Sequence, residues 1–374
     1  MKTGVQFLGA AVLFLTSEVV SAFKTAESIS YVVEPFETTE KLELEGDGGL
    51  EEVISLSEDG LFGNSSLQVN FTVASNLSSA SFGWTTSGGS AYHCLGADYM
   101  SIWYKVTDPK EQGEAPSFIT VILGDDFGVT ELDGLDWFSS KPSPVISNGD
   151  WNEVRIPFDD ENWIQTDDSV GEGTMHLNHL REWKVQIDGS DDLVIRVDHL
   201  SCVGNGNMFA SVFDTDLSFE IADQNYSAFS GPYFHKSNVS KESTTIKLED
   251  GVLTFGYTVE QTESWGGFSQ FGHYAPSNAY YNLSQAKQLD LAYSVPVRAS
   301  QLNRVHLRLI IAEVSECAHK VNCTDNEVYY SFAHVLDDVA TETKHYFVTL
   351  EGDDQPTSSL YRTGWTGLPG VSKN

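Results

Sequence analysis

A loop-and-strand unit that occurs twice constrains this chain more than any other feature. Ser90–Val106 reads S-A-Y-H-C-L-G-A-D-Y-M-S-I-W-Y-K-V, and Asn278–Val295 reads N-A-Y-Y-N-L-S-Q-A-K-Q-L-D-L-A-Y-S-V. Ala91-Tyr92 aligns with Ala279-Tyr280, Leu95 with Leu283, and Tyr104 with Tyr293 after one inserted residue. In each copy a loop runs into a strand whose apolar residues alternate: Met100, Ile102, Tyr104 and Val106, then Leu289, Leu291, Tyr293 and Val295. Alternation places those side chains on one face. A unit that returns after roughly two hundred residues is a duplicated domain, because solenoid units recur at far shorter periods.

The rest of the chain fits that frame. Tyr31–Glu37, Leu67–Val73, Met100–Val106, Phe118–Leu123, Trp151–Phe158, Trp183–Ile187 and Leu193–Leu200 read as strands, and no helical periodicity is sustained between them. The acidic segment around Gly46, Gly48 and Gly49 reads as loop. Many short strands with turn-rich spacers imply an all-β sandwich. Gly204-Asn205-Gly206 is a breaker and marks a boundary. Beyond it, Leu253–Val259, Leu289–Val295, Val305–Ile311, Val328–Phe332 and Tyr346–Leu350 repeat the strand order. The second copy has no counterpart of Trp183–Ile187 or Leu193–Leu200, so it is expected to be incomplete at the C-terminus.

Lys2, the apolar run Val5–Leu15 and the small residues ending at Ala22 form the pattern of a secretory signal peptide, residues 1–22. No later run is long and apolar enough for a membrane span. The expected domains are therefore 23–205 and 206–374. Secretion fits seven glycosylation sequons, at Asn64, Asn70, Asn76, Asn225, Asn238, Asn282 and Asn322. Four cysteines allow three pairings. Cys317 and Cys323 are close enough to staple a hairpin loop, which leaves Cys94 with Cys202 in an oxidising compartment. A net charge of −33, from 54 acidic and 21 basic residues, makes nucleic acid and anionic membranes poor partners. Oligomeric state is not readable.

Three segments carry a family likeness: Gly149–Phe158 (G-D-W-N-E-V-R-I-P-F), Leu180–Ile187 (L-R-E-W-K-V-Q-I) and Val197–Leu200 (V-D-H-L). They resemble the closing strands of galactose-binding-like jelly rolls, above all family 11 carbohydrate-binding modules and the complex I intermediate-associated protein 30 fold. Val33–Glu37 is similar to the first strand of that family. The resemblance covers about residues 31–204 well and 245–374 in part. It implies two tandem jelly-roll β-sandwich domains, glycan or polysaccharide as partner, and a structural calcium near the first and last strands. By the resemblance, Glu37 and Asp198 are the candidate calcium ligands, although two acids alone do not make a site.

Sugars present C–H faces to aromatic rings and hydroxyls to polar groups. If Met100, Ile102, Tyr104 and Val106 face inward, Trp103 faces out, and its counterpart Ala292 supports an exposed position. Trp84, Trp137 and Trp163 are expected in loops or beside turns, with Tyr92 in the repeated loop and Trp265, His273 and Tyr274 in matching neighbourhoods of the second copy. Trp183, in phase with Val185 and Ile187, reads as core. For any one loop aromatic, packing explains it as well as ligand contact does; as a set they favour binding. Glu131-Leu-Asp133-Gly-Leu-Asp136 only approximates the E-x-D-x-x-E strand of family 16 glycoside hydrolases, because the last acid is shortened and Gly134 interrupts it. Other catalytic motifs are missing from the sequence, and the ten histidines show no metal-ligand spacing. The reading is a secreted, non-catalytic glycan-binding protein of the extracellular space or cell wall. Its alternatives are an accessory region of a larger glycan-active enzyme, or a structural or adhesive glycoprotein.

Overall fold

The computed structural model describes residues 29–204 except 40–41, 46–52, 72–77, 87–90, 108–116, 128–133, 172 and 190–192. Outside that stretch it describes 12–14, 219–221, 232–237, 245–249, 252–256, 268–273, 279–282, 288–295, 306–313, 328–335, 340–349 and 361–363. The chain is all-β.

The N-terminal part contains β1 (Val12–Phe14), β2 (Ile29–Glu34), β3 (Glu43–Glu45), β4 (Ile54–Ser57), β5 (Ser66–Asn70), β6 (Ser79–Thr85) and β7 (Ala97–Val106). It continues with β8 (Phe118–Asp125), β9 (Asp136–Ser140), β10 (Ser143–Pro144), β11 (Trp151–Pro157), β12 (Trp163–Gln165), β13 (Leu180–Asp188) and β14 (Val194–Gly204). Two sheets form a sandwich. The front sheet runs β12-β9-β8-β13-β6-β3, with β10 beside β8. The back sheet runs β11-β7-β14-β2-β20, with β5 beside β14 and β4 beside β5. Here β20 is Tyr280–Asn282, from the far side of the expected domain boundary.

Alternation builds the core. Met100, Ile102, Tyr104 and Val106 of β7 are all buried, with half-buried Trp103 between them on the outer face. Ile119, Val121 and Leu123 of β8 and Trp183, Val185 and Ile187 of β13 meet them from the front sheet. Trp183 is fully buried, as expected; its ring takes the edge of Phe36 at 5.7 Å and its Nε1 donates to Tyr92 Oη at 3.2 Å. Cys94 and Cys202 are joined, as expected, with Cα atoms 5.6 Å apart. The bond ties the loop before β7 to the last strand. Cys94 is wholly buried. The loop position aligned with exposed Asn282 in the second copy is therefore a core position in the first, because Cys94 must reach an inward-facing Cys202. Cys317 and Cys323 lie outside the described residues.

Strand β14 changes partners along its length. Val194–Val197 pair with β5, whereas Leu200–Gly204 pair with β2. Between them the ladder with β7 slips, and His199 adopts a positive φ of 55°. This is a bulge, with one residue too many on one strand, and it begins directly after Asp198, which still faces Trp103. On the neighbouring strand, β2 ends at Glu34 because Pro35 follows and Phe36 takes φ 56°.

The C-terminal part has β15 (Phe219–Ile221), β16 (Pro232–Ser237), β17 (Thr245–Glu249), β18 (Val252–Gly256), β19 (Phe268–His273), β20, β21 (Gln288–Val295), β22 (His306–Glu313), β23 (Val328–Val335), β24 (Ala340–Thr349) and β25 (Tyr361–Thr363). They pair as β15-β17-β18-β1-β21-β24, β16-β19 and β22-β23-β25. β21 pairs with β24 as β7 pairs with β11, and β22 with β23 as β8 with β9. Ala292, the counterpart of Trp103, is buried. Its use as a sign of exposure is therefore corrected: the small side chain sits in a covered position. β20 is the crossing element. Its Tyr281 opposes Tyr31 of β2 with ring centroids 4.8 Å apart, and Ala279 joins the N-terminal core.

Candidate functional site

The outer face of the front sheet is read from its register. One row across the strands is Thr85, Glu182, Gly124 and Trp137; the next is Glu43, Gly83, Lys184, Ile122 and Ser139. A third is Glu45, Ser81, Gln186 and Thr120. Glycine occupies two central positions for a steric reason. A Cβ on Gly124 would stand 2.7 Å from Leu135 Cδ1 and 3.1 Å from Trp137 Cζ3, so the indole lies flat over bare backbone. A Cβ on Gly83 would stand 2.8 Å from Lys184 Cγ.

Three groups meet over these glycines. Lys184 Nζ lies 4.6 Å from the Trp137 ring centroid and 3.2 Å from Glu182 Oε1. Glu182 is buried and Lys184 and Trp137 are half-buried. The main chain of Trp137 is fixed by Ser169, whose Oγ accepts from Trp137 N at 2.6 Å and donates to Trp137 O at 2.8 Å. The Lys184 ammonium lies over the Trp137 ring with Glu182 paired to it, and in the third row the Gln186 amide donates to Asp188 Oδ1 at 2.9 Å. Such a surface can stack a sugar ring and hydrogen-bond its hydroxyls.

One end of this face is polar and closed on itself. Asp125 Oδ2 accepts from the main-chain N–H of His176 at 2.6 Å and lies 3.0 Å from His176 Nδ1. Asp125 Oδ1 accepts from Phe127 N at 2.8 Å. Burial pushes the Asp125 carboxyl up, and these N–H bonds and the imidazole oppose that. Asp126 holds Arg181 at 3.1 Å and faces His179 Nδ1 at 3.3 Å, and Phe127 stacks on His176 at 4.0 Å between centroids. The fold brings His176 and His179 together, with ring centroids 6.4 Å apart. Asp136, the last acid of the glycosidase-like motif, begins β9, and its two oxygens accept from Gln165 Nε2 and Gly173 N. Glu131 and Asp133 lie outside the described residues.

The back sheet is different. Trp103 opposes Glu153 on one side and Asp198 on the other, and Phe62 from the β4–β5 loop meets its ring edge-on at 5.8 Å. Lys105 and Arg196 both pair with Asp59 of that loop. Asp198 Oδ2 accepts the main-chain N–H groups of Leu61 and Phe62 at 2.7 and 3.0 Å. Glu37 Oε1 accepts Asn64 N at 3.0 Å, beside Gly63 at φ 81°. Asp198 Oδ1 is buried without a hydrogen-bond partner. Burial raises the Asp198 carboxyl to about 6, against the pull of the Phe62, Leu61 and His199 N–H groups, and Glu37 adds to the rise. His199, stacked on Phe62 at 4.3 Å, is pushed down to about 4 by burial.

The structure separates the candidate aromatics. Tyr92 is buried under Trp183, so it belongs to the core rather than to a ligand face. Trp163 is buried too: its Nε1 donates to Pro157 O at 3.0 Å and its ring stacks on Phe158. Trp84 lies in β6, in register with Trp183, and packs half-buried on the core. Trp84, Trp137 and Trp163, expected in loops or beside turns, are all in strands, because short polar strands carry too weak an alternation to be seen. Trp103 and Trp137 face outward on opposite sheets. His273 ends β19, while Trp265 and Tyr274 lie outside the described residues. Sequence reading missed Lys184, Glu182 and Gln186; their period-2 spacing around buried Trp183 and Val185 was the available signal.

For the metal reading, the described residues contain no group of three His, Cys, Asp or Glu able to hold an ion. Asp198 nevertheless keeps a buried carboxylate oxygen without a hydrogen-bond partner, and the Glu37 charge acts on that carboxyl, so a hard cation there would satisfy the oxygen. Among the described residues no helix is long and apolar enough to cross a membrane.

No family model matches the chain, and no curated protein matches it. Solved structures do. The chain is similar to a family 11 carbohydrate-binding module from Clostridium thermocellum in complex with a β-1,3-1,4-mixed-linked tetrasaccharide. The identity is 13% and the TM-score 0.32, over 47% of this chain and 96% of that one. It is also similar to the family 11 module of a cellulosomal cellulase of the same organism, at 14% identity and TM-score 0.31, over 47% and 94%. A third is the CBM22-1 xylan-binding domain of Paenibacillus barcinonensis Xyn10C, at 12% identity and TM-score 0.28, over 49% and 96%.

Proposed function

We propose that this protein is a secreted, non-catalytic carbohydrate-binding glycoprotein that takes a polysaccharide chain across the outer face of its front sheet. The observation that carries the reading is Trp137 laid over Gly124 beside the Lys184–Glu182 pair. In this reading the indole stacks on a sugar ring, while Lys184, Glu182 and Gln186 select hydroxyl positions. A binding role is favoured over a catalytic one because the carboxylates around Trp137 are engaged: Glu182 by Lys184, Asp125 and Asp136 by hydrogen bonds. Trp103 is the weaker candidate, since Phe62 and the β4–β5 loop stand over it.

The same proposal includes a structural calcium held by Glu37 and Asp198. Main-chain carbonyls and water would complete the six to eight oxygens that calcium takes. It also includes the tandem arrangement, with residues 206–374 as a second jelly roll. Affinity electrophoresis through soluble β-glucan, xylan and galactan tests the binding. Retardation of the parent that Trp137→Ala abolishes and Trp103→Ala leaves intact is the expected result. A parent that none of the polysaccharides retards, or equal retardation of parent and Trp137→Ala, overturns the reading.

A further inference from the structure

Asparagines of three sequons, Asn64, Asn70 and Asn282, fall among the described residues, and all three belong to one sheet. Asn64 is exposed in the turn between β4 and β5, directly after Gly63 at φ 81°. Asn70 ends β5 between buried Val69 and Phe71, so alternation turns its side chain outward, where it is half-buried. Asn282 ends the edge strand β20 and is exposed. Its neighbour Tyr281 turns inward to Tyr31, which sends Asn282 to the outer side. None of the front-sheet strands β12, β9, β8, β13, β6 or β3 contains an asparagine.

We infer that the protein carries N-linked glycans at Asn64, Asn70 and Asn282 on the back sheet, and that the front-sheet strands, which hold no asparagine among the described residues, keep their outer face bare. In each transfer the asparagine amide nitrogen forms a bond to the anomeric carbon of a lipid-pyrophosphate-linked oligosaccharide. The lipid pyrophosphate leaves and the amide gives up one proton. The physical consequence is segregation: a mobile, hydrated glycan excludes a second polymer from the face it covers, and the back sheet already has its β4–β5 loop over Trp103. What the bare face then receives rests on the polysaccharide reading above; where the glycans sit does not.

Glycopeptide mass spectrometry on the full chain, secreted from a eukaryotic cell, tests the assignment. Glycan on the Asn64, Asn70 and Asn282 peptides is expected, with one mobility step lost for each of Asn64→Gln, Asn70→Gln and Asn282→Gln. Unmodified peptides at these positions overturn the assignment. A second arm places a glycan on the bare face. Ser79→Asn completes a sequon with Ala80 and Ser81, and Phe118→Asn does so with Ile119 and Thr120, both in outward phase on front strands. Secreted, glycosylated Ser79→Asn should lose polysaccharide retardation, whereas the same variant made without glycans in bacteria should keep it. Undiminished retardation of both glycosylated variants overturns the segregation of glycan and polysaccharide onto opposite faces. A parent that binds no polysaccharide refutes the binding reading and leaves the glycan map to be decided by the mass spectra.

Discussion

Replacing Asp198 by asparagine in chelator-treated protein should raise its stability at neutral pH and leave it unchanged in acid. The carboxyl is wholly buried, its Oδ1 has no hydrogen-bond partner, and burial lifts it from 3.8 to about 6. A raised folded value means that the native state binds this proton more tightly than the unfolded chain does. Its stabilising contribution is therefore complete below about pH 4 and lost as pH rises through about 6. A rise of about two units corresponds to roughly 2–3 kcal/mol, the loop N–H bonds already included. Asparagine keeps an acceptor for Leu61 and Phe62 but carries no charge, so it mimics the protonated state. Urea denaturation of parent and Asp198→Asn, read by tryptophan fluorescence in chelator across the acid-to-neutral range, gives the difference directly and cancels every other titrating group. The gap should open upward from about pH 4 and level off above about 6. Equal stabilities at neutral pH, or a gap that persists into acid, would refute the reasoning. With calcium restored at a hundredfold excess over its Kd the gap should close, because a cation beside Oδ1 favours the parent by about 2.7 kcal/mol.

Other expectations follow from the same geometry. Gly124→Ala should weaken polysaccharide retention without unfolding the protein, because the new methyl lifts Trp137 from the sheet; isothermal titration calorimetry of the variant against the parent measures it. Replacing both Cys94 and Cys202 by alanine should lower stability by about 2–5 kcal/mol, visible as a shifted urea midpoint, since their bond spans 108 residues. Tyr281→Ala should loosen β2, with faster amide exchange at Ser30 and Val32 and a loss of about 2–4 kcal/mol, as its ring packs on Tyr31.

Where apolar residues alternate strongly, the strands could be read from the sequence. β7, β8, β11, β13 and β14 all appear at or near their expected positions, because one face of each is buried by a facing sheet. β3, β6, β9 and β12 were missed, since glycine, serine and charged residues interrupt their pattern. The outward position of Trp103 followed from phase alone. Phase could not show that Phe62, forty-one residues earlier (103 minus 62), would stand against it, because that contact depends on where the β4–β5 loop crosses the sheet. The aromatics assigned to loops failed for a related reason: Tyr92 and Trp163 look like loop residues, yet each is buried with its polar atom hydrogen-bonded.

Sequence alone determined the all-β class, the inward stripe of β7, the core place of Trp183 and the partnership of Cys94 with Cys202. Each depends on local period or on compartment chemistry, which the chain carries in linear form. Tertiary structure alone decided that Lys184, Glu182 and Trp137 meet over two glycines, that β14 slips at Asp198 and leaves one oxygen unpartnered, and that β20 joins the back sheet from a segment far along the chain. These are cross-strand facts. Register between distant segments is set by the packing of both faces at once, and no single segment contains that information.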